Sequence, residues 1–254
     1  EGTESTEKNC FRKLCVLRAL CVSLLLLLCA AAANAQTTTN LSAAEIQGRE
    51  LAQQLCNARP TENLTNTGII KTRYKDGTRT ELRFKSQIIA TETNWFTVYE
   101  TLGEGYQLKF KIEHNGDKIF RYEMRGKEEV EREATFPFAG SDFWLGDLSL
   151  EFFHWPAQKV LPHTTSLKLG RSYTLLESTN PNPSTNGYSR VLSWIDKETG
   201  GILEAEAYDA QDKVLKEFYP KDFKKVNGQW QLKMMEMDNV QSGSRTRLEF
   251  DLKK

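Results

Sequence analysis

The chain of 254 residues carries 34 basic and 34 acidic side chains, a formal net charge of zero. Such a balance argues against nucleic acid or another polyanion as a partner, and the length allows one large domain behind a leader. Cys10, Cys15, Cys21 and Cys29 all lie near the N-terminus, so Cys56 is left alone and no internal disulfide is expected beyond them.

Lys8, Arg12, Lys13 and Arg18 precede an apolar run of 15 residues from Ala19 to Ala33, which ends at Ala33-Asn34-Ala35. A basic start, a short apolar centre and a small-x-small end are the layout of a secretory signal peptide. The run is shorter than the roughly 20 residues that span a bilayer. We expect cleavage after Ala35, export, and a single domain over 36–254.

Ser42 and Glu45 make a capping-box signal, and Leu41, Ala44, Gly48, Leu51 and Leu55 recur at helical spacing. A helix is predicted over about 42–58, stopped by Pro60, with Cys56 half-buried on its flank. Beyond Pro60 the period becomes two. Leu82 and Phe84, then Tyr106, Leu108, Phe110 and Ile112, then Phe120, Tyr122 and Met124 alternate with polar neighbours. Strands are predicted again near 172–178, 188–196, 202–209, 213–219, 229–237 and 244–252, separated by turn signals such as Gly200-Gly201 and Asn227-Gly228. Roughly eleven strands result, with an irregular centre near 127–170.

One apolar face on so many strands is too wide for a single helix to cover. A two-layer sandwich, a filled barrel and a partly open barrel holding an apolar ligand all answer that need. The pattern does not choose among them, and large residues expected to point inward (Trp95, Tyr99, Tyr106, Phe110, Tyr122, Trp230) keep a filled interior among the alternatives. Met234, Met235 and Met237 suit an adaptable apolar surface.

Residues 140–156, "GSDFWLGDLSLEFFHWP", crowd aromatic rings around Asp142, Asp147 and Glu151. Paired carboxylates can serve a glycosidase, but Asp147 ahead of "LSLEFF" reads better as a helix N-cap. His114 beside a turn and His163 after Pro162 are expected at the surface, and no metal-ligand spacing links the three histidines. The chain shows neither a nucleophile elbow nor a phosphate-cradling loop. We therefore expect no enzyme, no cofactor and no metal.

Three stretches resemble one family. "GSDFWLGDLS" (140–149) is similar to the Gly-(Thr/Ser)-Asp-Phe-x-x-x-Asp-Leu motif of the LolA-like outer-membrane lipoprotein-sorting proteins. "SRVLSWIDKETGGILEAEAYDAQDKVLKEFY" (189–219) is similar to their Trp-Ile-Asp strand and following hairpin, and "NGQWQLKMMEMDNVQSGSRTRLEF" (227–250) to their closing strands. Asp212 stands where such hairpins often have Gly, and Gly146 where an acidic residue is common. The resemblance covers most of 42–252.

It implies an α+β, mainly antiparallel fold: an incomplete, half-open β-barrel wrapped over the N-terminal helix and closed by short helical lid segments. It also implies a periplasmic carrier or chaperone that holds acyl chains of lipids or lipoproteins on their way to the outer membrane. Transient inner- and outer-membrane partners and a monomeric state are expected. An envelope structural or sensor module without cargo is the alternative. The candidate cavity and lid residues are Tyr106, Leu108, Phe110, Tyr122, Phe136, Phe138, Phe143, Trp144, Phe152, Phe153, Trp155, Leu232 and Met234.

Overall fold

The computed structural model describes residues 41–252 except 58–59, 61, 93, 104–108, 115–118, 126–127, 163–166 and 227–228, and only the backbone of 119–125, 128–131 and 229. The expected leader, Tyr106, Leu108 and His163 lie outside the described residues. Residues Leu41–Lys254 form one compact unit. Among the described residues, no helix is long and apolar enough to cross a membrane.

Helix α1 (Ala43–Cys56) begins at the predicted box: Glu45 N–H donates to Ser42 Oγ at 3.3 Å, and Ser42 N–H to Glu45 Oε2 at 2.8 Å. These bonds satisfy two of the donors a helix start leaves orphaned. The helix lies on β7 (Ala157–Leu161). Gly48 makes that approach possible, because a Cβ there would sit 2.5 Å from the backbone nitrogen of Lys159.

Fourteen strands form one sheet among the described residues, in place of the eleven expected. β1 (Leu64–Arg73), β2 (Arg79–Ala90), β3 (Trp95–Leu102), β4 (Lys109–His114), β5 (Ile119–Arg125) and β6 (Glu128–Glu131) meander away from β1 in chain order. On the other side of β1 lie β14 (Ser244–Phe250), β13 (Gln229–Asn239), β12 (Val214–Val226), β11 (Ile202–Tyr208), β10 (Arg190–Asp196), β9 (Arg171–Thr179) and β7, while β8 (Leu167–Lys168) pairs with β9 off this path. Neighbours are antiparallel, and the path from β6 to β7 does not close. The fold is the expected half-open barrel with one long helix. β6, β7 and β8 lie inside the stretch read as irregular, where their brevity hid the alternation.

Two apolar cores occupy the concave face. Ile70, Phe84, Tyr99, Phe110, Ile112, Met235, Met237 and Leu248 form one beneath β1–β4, β13 and β14. Ala52 of α1 joins Leu176, Val191, Ile195, Ala205 and Ala207 of β9–β11 in the other. His114, expected at the surface, is buried at the end of β4 and stacks on Trp95 with ring centroids 3.7 Å apart.

Candidate functional site: a cavity beside an aromatic wedge

The aromatic segment fills the space between the cores. A 3-10 turn at Phe138–Gly140, the short helix α2 (Leu145–Leu148) and a second 3-10 turn at Glu151–His154 fold it back on itself. Phe138, Phe143 and Leu145 enter the first core, Phe152 and Phe153 the second. Phe138 alone has ring neighbours in Phe84, Tyr99 and Phe110, with centroids 5.3–6.2 Å away. Ala139 and Leu150 adopt left-handed backbone angles, φ 53° and 51°. That conformation costs an L-residue about 1–2 kcal/mol, so the surrounding packing must hold it.

The acids act as anchors. Asp142, 8% exposed, accepts from Ser244 Oγ at 2.5 Å and Thr246 Oγ1 at 2.8 Å, while its N–H donates to Thr246 Oγ1 at 3.0 Å. Thr246 spends its one proton on Asp142, so Thr72, 2.9 Å away, is the donor to Thr246. The Gly-Ser-Asp-Phe stretch is thereby tied to the Ser244–Thr246 start of β14, joining two of the stretches that carry the resemblance, 102 residues apart.

Asp147 is not the N-cap expected from the sequence. α2 starts one turn earlier, with Trp144 at the cap, and Asp147 reaches back to accept the Trp144 N–H at 2.7 Å. Asp147 also accepts from Tyr188 Oη at 2.8 Å and faces Lys216 Nζ at 3.4 Å. Sequence reasoning missed Lys216. It is 1% exposed, donates to the carbonyl of Asp142 at 2.6 Å and lies 3.4 Å from the centroid of the Trp144 ring. Burial lowers its pKa against the opposing pull of Asp147 and Asp142. Burial and the Asp147 charge push the Tyr188 phenol well above its ordinary range. A lysine on the parity of Phe218, the inward parity of β12, was the available signal. Gly146 also has a local reason: a Cβ there would stand 3.1 Å from Glu151 Oε2 and 3.2 Å from the Ala134 carbonyl.

The wedge leaves a cavity of about 600 Å³ against β1–β3 and β12–β14. Phe143, Asp147, Leu148, Leu150 and Phe153 form its wedge side, and Leu55 closes it from α1. The sheet side includes Leu64, Ile88, Phe218, Leu232, Met235 and Phe250, with Asn66, Ser86, Thr97 and Gln231 as polar positions. Carrying the Leu82–Phe84 parity two steps on would have reached Ser86 and Ile88.

Of the candidate residues, Phe143, Phe153 and Leu232 line this cavity. Phe110, Phe136 and Phe138 pack into the neighbouring core instead. Trp144 stacks on Tyr188 at 4.7 Å, and with Phe152 and Trp155 it lines a separate, more polar cleft. Met234 is half-buried and not at the cavity wall; Met235 is. The cause is an irregularity between β12 and β13, where Pro220 faces Met235, Asp222 faces Met234 and Phe223 faces Leu232. The alternation slips by one there, as bulges make it do. Tyr122 lies on β5, of which only the backbone is described. Trp230, expected inside, is 70% exposed. It shares the parity of Leu232 but stands near the hairpin tip, beyond the opposing wall.

A family model described as "Uncharacterized protein" matches residues 114–253, more than half of the chain. No curated protein matches the sequence significantly. Among solved structures, a putative outer membrane lipoprotein-sorting protein domain from Vibrio parahaemolyticus superposes with a TM-score of 0.68 at 20% identity, covering 82% of this chain and 92% of that one. A DUF1329 family protein from Desulfovibrio piger gives 0.65 at 17% identity, with 83% and 92% covered. A LolA superfamily protein from Nitrosomonas europaea gives 0.57 at 15% identity, with 83% and 93% covered. At these identities the likeness is one of fold: the chain has a LolA-like fold, and it belongs to the family whose model, described as an uncharacterized protein, matches residues 114–253.

Proposed function

We propose that this protein is an exported, periplasmic carrier or chaperone that holds an acyl chain of a lipid or lipoprotein in the cavity between wedge and sheet. The observation behind this reading is the 600 Å³ space walled mainly by Leu, Ile, Phe and Met side chains. Ligand pockets commonly run from about 300 to 1,000 Å³ with mostly apolar walls. At about 30 Å³ for a water-sized group, the space takes one long chain rather than several. Each buried methylene contributes about 0.8 kcal/mol, enough to draw a chain from water without a covalent step. Asn66, Ser86 and Thr97 suit a polar group within such a ligand, such as an ester. Domain limits of 36–254, a cleaved leader and transient membrane partners belong to the same proposal.

Uptake of a fluorescent fatty acid by delipidated protein tests it, with Ser86→Phe as the partner variant that fills the cavity from β2. The reading requires saturable uptake that Ser86→Phe reduces at least tenfold while the protein stays folded. No uptake, with no lipid in native mass spectra of the purified protein, would favour a cargo-free envelope module. The filling of half the barrel by Phe138 and its neighbours is the feature that favours that second reading.

A further inference from the structure

Seven large hydrophobic side chains are exposed among the described residues, and their distribution is uneven. Strand directions define one rim of the half-barrel: β1, β9, β11 and β13 start there, and β2, β10, β12 and β14 end there. The cavity reaches this rim, since Leu64, Gly200, Gly201, Phe223 and Leu252 all line it. Five of the seven exposed residues, Ile89, Leu167, Leu169, Phe223 and Trp230, lie at the same rim. Ile46 and Val240 are the two elsewhere.

Two hairpins carry most of this surface. In the β12–β13 hairpin, Phe223 pairs with Leu232 and Lys225 with Trp230. Leu232 lines the cavity, Phe223 lines it while 51% exposed, and Trp230 is 70% exposed. The three make an apolar ramp from the interior to the tip. In the β8–β9 hairpin, Leu169 is 72% exposed and Gly170 follows it, with φ of 52° and 75°. Such a turn favours Asn, Asp or Gly at both positions, so an exposed leucine there is disfavoured both by its backbone and by water.

The β12–β13 hairpin is mainly basic. Residues 220–233 contain Lys221, Lys224, Lys225 and Lys233 against Asp222 alone, in a chain whose net charge is zero. Asp222 is paired with Lys233 at 2.7 Å, whereas Lys225 is exposed beside Trp230. A tryptophan with the exposed Lys225 opposite it, at the end of an apolar path, fits the water–lipid boundary, where aromatic rings settle and basic side chains meet anionic headgroups.

We propose that this rim is a docking face for an anionic lipid bilayer, with Phe223, Trp230 and Leu169 entering the headgroup layer so that the cavity mouth opens onto the lipid. The proposal rests on the acyl-carrier reading for its purpose, and the two are separable by experiment. The protein in the form the cell accumulates is floated with vesicles of phosphatidylcholine, with and without phosphatidylglycerol, at low and high salt. Binding is expected to need phosphatidylglycerol and to weaken with salt. Trp230→Ser and Phe223→Ser should each lower partitioning about tenfold, and Lys225→Gln about fivefold. Brominated lipids should quench the tryptophan emission of the native protein, and Trp230→Phe should remove most of that quenching while binding persists. Equal binding to both vesicle types, none to either, or no response to these substitutions would overturn the docking face; an unbound rim would then call for a protein partner. Ser86→Phe keeps the readings apart, since it should dock normally while failing to take up the fatty acid in solution. Uptake without docking would sink only this proposal, and docking without uptake only the carrier.

Discussion

Asp147→Asn separates an anchoring carboxylate from a catalytic one. Asp147 accepts from the Trp144 N–H at 2.7 Å and Tyr188 Oη at 2.8 Å and faces Lys216 Nζ at 3.4 Å, with its side chain 7% exposed and that of Lys216 1%. All three partners are donors, so an amide keeps one acceptor and turns a donor toward another donor. It also removes the counter-charge of a buried ammonium. Breaking a buried pair from one side costs about 3–5 kcal/mol. Lys216 keeps the Asp142 carbonyl at 2.6 Å and the face of Trp144, which puts the expected loss at the lower end, about 3 kcal/mol. Against a domain stability of about 5–15 kcal/mol, that is a large shift in the urea midpoint. Adding Lys216→Met should recover at least about 1 kcal/mol relative to the sum of the single losses, because the orphaned charge is gone. A midpoint for Asp147→Asn within about 0.5 kcal/mol of wild type would refute the anchor and return the acid to the list of chemical groups.

Four further outcomes follow from the geometry. Burial alone would raise the Glu236 pKa, but the Arg247 hydrogen bond and the charges of Arg245, Arg247 and Lys221 hold it below its usual range. A carboxylate depressed in the folded state binds fewer protons there than when unfolded, so its contribution is present at neutral pH and disappears as pH falls through the folded pKa; Glu236→Gln should lower stability at pH 7 and flatten the acid limb of a pH-dependent melting series. Burial raises the Cys56 thiol to about 11 from an ordinary 9.0, so its thiolate fraction at pH 8 falls about 100-fold and alkylation by iodoacetamide should be correspondingly slow until the fold is opened. Asp212 has φ 60° and a surface contact to Arg190 at 2.6 Å; relief of backbone strain exceeds the value of an exposed ion pair, so Asp212→Gly should be neutral or stabilising by up to about 1 kcal/mol in thermal unfolding. Gly48→Ala should cost at least about 2 kcal/mol in the same assay, since its methyl would force α1 off the β7 backbone and open the second core.

Much of this fold can be read from residues alone. Ser42 and Glu45 announce the start of α1, and the two-residue period of Phe84, Phe110 and Phe250 marks a concave face. The motif resemblance supplies what the period cannot, a barrel left open. The site is less legible. Lys216 belongs to a polar knot whose members, Asp142, Asp147, Tyr188 and Thr246, meet only after the sheet brings β12 and β14 under the wedge. Met234 and Met235 exchange roles through a slip between strands that neither strand's own pattern records. Trp230 obeys the alternation and still ends in water, because parity gives a face while burial needs an opposing wall.

The location of the cavity mouth decides what the aromatic segment does. A lid over the ligand would have to swing out, breaking the bonds of Asp142 to β14 and of Asp147 to Tyr188 and exposing Phe138 and Phe143, which are 0% and 1% accessible. Charged hydrogen bonds of this kind contribute about 1.5–3 kcal/mol each, and a buried phenylalanine a further 1.5–3 kcal/mol. At about 0.8 kcal/mol for each methylene, most of an acyl chain's gain would be consumed by opening. Entry along Trp230, Phe223 and Leu232 breaks none of these contacts. On the proposed carrier reading the segment is therefore a fixed wedge that forms the back wall of the cavity, and exchange belongs to the rim.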